Sequence, residues 1–116
     1  MKSIQQTITI AKQYSREPAG RFLADGPHSG ERFREDYLVP ALKQYDTVTI
    51  DLDGTEGYGS SFLEEAFGGL VRLRGFKAAD LHKRLVLISN EDESIPIEIW
   101  DYIDSGVPGA GQRRRR

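Results

Sequence analysis

The residues best suited to chemistry lie between Val48 and Arg72, in the stretch VTIDLDGTEGYGSSFLEEAFGGLVR. Val48, Ile50 and Leu52 alternate with polar residues, as in a half-buried strand. The DGTEGYG turn that follows is rich in glycine, and a helix then opens at Ser60 or Ser61. The first amides of a helix have no internal partners, and the macrodipole adds partial positive charge there. Two hydroxyls at that point sit where an anion, or a phosphate added to a hydroxyl, is stabilised. Ser61 and Glu64 have the spacing of a capping box, which makes helix capping the plainer role for the same residues.

Other candidates carry less. His28 and His82 are the only histidines, and neither has a partner at metal-ligand spacing. The run Asn90 to Glu93 lacks the spaced ligands of a calcium loop and reads as a solvated acidic turn. Glu64 and Glu65 read as a cap and a surface residue, not a carboxylate pair for acid–base work. Gly57-Tyr58-Gly59-Ser60 lacks the lysine of a phosphate loop. These residues call for no metal and no cofactor.

The elements that must hold these residues follow from periodicity. Ile4, Ile8 and Ile10 alternate as a first strand. Residues 15–30 are punctuated by proline and glycine and read as loop, with room for a short strand near 21–23. Phe33, Tyr37, Leu38, Ala41, Leu42 and Tyr45 recur at helical spacing behind Ser29 as N-cap, and Pro40 should kink or split that helix. Phe62 to Leu73 form a broad apolar stripe interrupted by Gly68 and Gly69, read as a close approach to a sheet. Residues 78–83 could add a short helical turn. Leu85-Val86-Leu87-Ile88 reads as a strand covered on both faces. Ile95, Ile99, Tyr102 and Ile103 mark a last helix that stops at Gly106. Strands alternating with helices predict an open α/β sheet with helices packed on it.

Over this frame the chain resembles the STAS-like family of bacterial proteins of the DUF4325 type. The resemblance rests on GRF, on GPHSGERFREDYLVPAL, on DLDGTEGYGSSFLEEAFGGLVR and on LISNEDES, and it runs from about Ile4 to Ile103. It implies one α/β domain over residues 1–106, with a mixed sheet of about four strands and about three helices. A disordered basic tail, 107–116, would follow. It also implies a regulatory protein-interaction module similar to anti-sigma-factor antagonists. The expected partner carries a histidine-kinase-like ATPase domain. In switched members of that wider group the phospho-acceptor serine follows an aspartate, in an Asp-Ser-Ser/Thr-Gly pattern. Laid on this chain the pattern puts Ser60 at the acceptor and Ser61 beside it, with Gly59 replacing the aspartate and Phe62 the glycine. The expected docking surface is Gly57, Tyr58, Gly59, Ser60, Ser61 and Phe62, with Tyr58 as aromatic anchor.

A second resemblance competes with the first. Asp51-Leu52-Asp53-Gly54-Thr55 is similar to the nucleophile motif of haloacid-dehalogenase-type phosphatases, in which a first aspartate attacks phosphorus, a second handles the leaving-group proton and Mg²⁺ bridges the site. Against it, some fifty residues precede the motif, and the downstream lysine and acidic pair have no clean counterpart.

Composition sets the outer limits. The chain has 116 residues, 38% hydrophobic and 29% charged, and no cysteine, which excludes disulfides and thiolate metal sites. No apolar run is long enough to span a bilayer, so a cytoplasmic location is expected. Arg113 to Arg116 hold four of the 16 basic residues; without them 12 basic residues face 18 acidic ones. An acidic body argues against a nucleic-acid face. The oligomeric state is left open, a homodimer included.

Overall fold

The computed structural model describes residues 4–106; the tail at 107–116 lies outside the described residues. Three strands form the sheet: β1 (Gln5–Thr9), β2 (Thr47–Asp51) and β3 (Leu85–Ile88). They are parallel and lie in the order β1-β2-β3. The expected mixed, four-stranded sheet is therefore corrected. The candidate strand near 21–23 is not one: residues Leu23–Asp25 make a single 3₁₀ turn. There the Asp25 carboxylate accepts from the Arg21 and Phe22 amides at 3.1 and 2.7 Å and curls the chain.

Helices number five among the described residues rather than three. They are α1 (Ile10–Gln13), α2 (residues 30–44), α3 (residues 60–72), α4 (Ala78–Arg84) and α5 (Ser94–Ser105). Ser29 caps α2 as its sequence suggests, its hydroxyl accepting from the Arg32 amide at 3.2 Å. Pro40 does not split α2. A π-turn at Arg34–Leu38 precedes it, with the Val39 amide donating five residues back to the Arg34 carbonyl. The widened turn accommodates the missing proline donor. A second π-turn occupies Glu64–Gly68 of α3.

Register explains the layers. Val48 pairs with Leu85 and Ile50 with Leu87, while Ile8 lies beside Ile50. These residues share one face and pack on Phe33, Phe62, Phe67, Leu70 and Ile99, all fully buried. The opposite face carries Thr7, Thr49 and Val86 in one row and Thr9, Asp51 and Ile88 in the next. β3 is thus not covered on both faces: Val86 is 44% and Ile88 37% exposed. No helix among the described residues is long and apolar enough to cross a membrane.

Gly68 and Gly69 do not approach the sheet. A Cβ on Gly69 would overlap the Arg34 guanidinium, and one on Gly68 would meet Glu64 Oε2 at 2.9 Å and the Tyr102 carbonyl at 3.4 Å. The small residues make room for a buried ion network instead. Glu65 is 3% and Arg34 4% exposed, and their side chains pair at 2.9 Å across the two π-turns. Arg72 and Arg21 reach the other Glu65 oxygen at 3.2 and 3.1 Å, and both also bind Glu64. Glu64 and Glu65 are therefore neither cap nor surface residues. They hold the loop before α2, α2 itself and α3 together.

Candidate functional site

In open parallel sheets, clefts form beyond the carboxyl ends of the strands. Here β2 and β3 leave the sheet side by side. Asp53 joins their exits. Its carboxylate accepts from the Asn90 amide at 2.9 and 3.1 Å, from the Asn90 side chain at 3.0 Å and from the Glu91 amide at 2.9 Å. Glu91 reciprocates, its Oε1 accepting from the Gly54 amide at 3.0 Å. Gly54 turns there with a φ of +94°, which glycine adopts at little cost. Asp51 accepts from the Asp53 amide at 3.0 Å. The DxDGT segment thus builds a cross-strand turn. The Asp53 carboxylate, which the phosphatase reading assigned to proton transfer, is occupied by these hydrogen bonds. Among the described residues no three histidine, cysteine, aspartate or glutamate side chains lie close enough to hold a metal ion.

The Glu91 and Asn90 amides hold the Asp53 carboxyl below the usual aspartate range. A depressed folded pKa contributes stability that is present above the unfolded value, about 3.9, and is lost as pH falls through the folded one. Asp53→Asn is therefore expected to lower the melting temperature at neutral pH. The gap to the parent should close in acid, as a thermal melt series across pH reads out.

A cleft of about 180 Å³ lies behind this turn, lined by Leu52, Asp53, Thr55, Tyr58, Ser89 and Ile95 among others. The Tyr58 hydroxyl donates to the Leu52 carbonyl at 2.8 Å, and burial pushes its pKa up to about 12. Its ring packs on Phe62, 5.9 Å between centroids. Tyr58 is half-buried and tied down, a wall of the cleft more than a protruding anchor. Phe62 is fully buried in the core and so cannot belong to a docking surface, which corrects that assignment.

Gly57, Gly59, Ser60 and Ser61 are exposed. Gly59 is the N-cap of α3, and no side chain caps the helix. The Ser61–Glu64 capping box does not form, because Glu64 is drawn toward Arg72 and Arg21. The Ser60 hydroxyl instead donates to Glu98 Oε2 of α5 at 3.0 Å, and the Tyr102 hydroxyl donates to the same oxygen at 2.6 Å. The Glu98 bond raises the Tyr102 pKa. Next to Glu98, Ile97 is 71% exposed, the highest among the exposed large apolar side chains described. Glu98 and Ile97 escaped the sequence reading, which took Tyr102 only as part of the apolar stripe of the last helix. Their signal was an apolar residue on the polar side of the last helix, with a carboxylate and a tyrosine one turn apart.

The two histidines keep away from this rim chemistry. His28 stands edge-on to Tyr14, and His82 stacks on Trp100 at 4.2 Å with Nε2 2.7 Å from Asp104 Oδ1.

Residues 29–94, more than half of the chain, match the model of a family described as a STAS-like domain of unknown function, DUF4325. No match was found among curated proteins or among solved structures.

Proposed function

The chain belongs to this STAS-like family, and from that premise we propose that it is a regulatory protein-interaction module that docks and releases a protein partner at the rim formed by residues 57–61 and the start of α5. The observation that carries this reading is the exposed Ser60, whose hydroxyl is committed to Glu98 rather than to capping its own helix. The exposed Ile97, next to Glu98 in α5, offers the docking surface an apolar contact. The partner is a protein with a histidine-kinase-like ATPase domain, as the family resemblance implies. Phosphate added to Ser60, or a small anion held beside it, would set its charge against Glu98 at hydrogen-bond distance and alter the docking surface. The Gly59 that stands where switched relatives carry aspartate removes one like charge from that hydroxyl.

The test is recovery of the partner from the native host. The parent domain should retain an ATPase-domain protein, Ile97→Glu should lose it, and Ser60→Glu should weaken it while Ser60→Ala does not. Equal recovery by all four proteins, or none of an ATPase-domain protein by the parent, would sink the reading.

A further inference from the structure

Residues 85–106 contain no lysine, arginine or histidine, yet they carry Glu91, Asp92, Glu93, Glu98, Asp101 and Asp104. α5 turns part of that charge outward. Glu93 at its N-cap, Ile97, Asp101 and Asp104 follow the i, i+4, i+8, i+11 spacing of one helix stripe, and all four are exposed. Ile97, 71% exposed, thus has a carboxylate one turn before it and another one turn after it. On the opposite side of the helix Ile99 and Ile103 are buried, where α5 packs on α3.

Every member of the stripe destabilises the free domain. An aspartate near the C-terminus of a helix meets the negative end of the macrodipole. Asp101 and Asp104, three residues apart, repel each other. No basic residue stands in the last turn to offset either effect. Asp104 has His82 Nε2 at 2.7 Å, a ring that is charged only when protonated. Neither Glu93 nor Asp101 has an ion-pair partner among the described residues. Ile97 leaves an apolar side chain in water.

We infer that this stripe docks a basic segment of the protein partner. An apolar side chain of that segment sits on Ile97. Lysine or arginine stands one helical turn to either side of it, over Glu93 at one end and over Asp101 and Asp104 at the other. The inference rests on the docking reading above and gives the partner its chemistry. A segment of that pattern reverses each unfavourable feature at once: it covers Ile97, separates the two aspartates with a cation and brings positive charge to the negative end of the helix. Other occupants fit less well. A second copy of the chain would set the same carboxylates against one another. Arg113 to Arg116 would match the charges, but a run of arginines brings no apolar side chain to Ile97.

The probe is a synthetic amphipathic helix peptide of leucine and lysine, with its leucine–glutamate counterpart as control. Each is titrated into the full chain and followed by amide chemical shifts. The lysine peptide should shift residues 93–104, and its binding should weaken as salt rises. The glutamate peptide should bind roughly tenfold or more weakly. Glu93→Lys with Asp101→Lys should raise the dissociation constant of the lysine peptide roughly tenfold and pass the preference to the glutamate peptide. Asp101→Lys alone should melt no lower than the parent, because a lysine suits that end of the helix. Shifts confined to other elements, equal binding of the two peptides, or a preference that the double variant leaves unchanged would overturn the proposal. Binding that emerges only after Arg113 to Arg116 are replaced by glutamine would assign the stripe to the chain's own tail and overturn it too. A host ATPase-domain protein retained equally by the parent and the double variant would overturn this proposal and leave the docking reading standing.

Discussion

Glu65→Ala is expected to destabilise the domain by about 3–5 kcal/mol, the cost of breaking a buried ion pair from one side. Domains of this size have a total stability of only about 5–15 kcal/mol, so the loss is severe. The reasoning starts from desolvation. Glu65 lies 3% exposed and takes bonds from Arg34 at 2.9 Å, Arg72 at 3.2 Å and Arg21 at 3.1 Å. Removing it leaves Arg34, itself 4% exposed, with Glu35 at 2.8 Å and the Glu65 carbonyl at 2.7 Å as its remaining partners. A guanidinium withdrawn from water tolerates that poorly. Glu64 still binds Arg72 and Arg21, so those two arginines lose less.

A double-mutant cycle separates pairing from packing. Arg34→Ala costs stability alone, and Glu65→Ala with Arg34→Ala should cost less than the sum, because the second change removes a charge the first has stranded. Urea unfolding of the four proteins reads the coupling. A Glu65→Ala loss under about 1 kcal/mol, the range of solvent-exposed pairs, would mean that water reaches this network.

That network marks where the sequence stopped being legible. Alternation in 47–52 and the stripe from Phe62 to Val71 place β2 and α3 correctly, because each property repeats with the period of its own element. Ile8, Val48, Ile50, Phe62, Phe67 and Ile99 are buried as their spacing requires, whereas Ile10, read as part of the first strand, is buried at the start of α1 and Ile4 is exposed. An ion pair has no period. Arg21 and Glu64 are 43 residues apart, and a glutamate beside another glutamate in a helix looks like solvated surface. The visible clue was indirect: two glycines in mid-helix, at a cost of about 1 kcal/mol each against alanine, with an arginine inside the apolar stripe. The glycines were read as contact with a sheet; they face Arg34, Glu64, Arg72 and α5.

β3 misled for a related reason. Four apolar residues in a row fit a strand covered on both faces, and composition alone does not count the faces. Only the register, with threonines from β1 and β2 beside Val86, reveals an open side. At the candidate site, the exposure of Ser60 followed from the glycine-framed turn. Its partner did not, since Glu98 lies 38 residues away on a helix whose rotation periodicity only roughly sets. The clamp of Arg84 on the end of α2 was equally hidden. Its guanidinium donates to the Leu42 carbonyl, to that of Tyr45 at 2.8 Å and to that of Asp46 at 3.1 Å. It thereby satisfies carbonyls that the helix end leaves without partners.

Gly30→Ala is expected to be the most damaging glycine-to-alanine change among the described residues, against the direction that helix propensity predicts. Gly30 opens α2 with an ordinary negative φ, so alanine suits its backbone and would gain up to about 1 kcal/mol in a free helix. The surroundings reverse the sign. A Cβ there would stand 2.5 Å from the Phe62 carbonyl oxygen and 3.2 Å from the Ala66 amide nitrogen, both backbone atoms of α3. No rotamer change relieves a clash with backbone; the two helices must separate. Their crossing carries Phe33 against Phe62 and Phe67, all fully buried, and the Arg34–Glu65 pair one turn further on. Overpacking costs about 1–3 kcal/mol where side chains absorb it, and this site should reach or pass the upper figure. Gly26→Ala serves as the contrast, because a Cβ there meets nothing within 4 Å and only the local backbone, at a φ of +153°, resists it. Thermal melts of the two variants should place Gly30→Ala well below Gly26→Ala. Equal melting temperatures would show that α2 and α3 do not cross in van der Waals contact, and the ion network that depends on that crossing would fall with it.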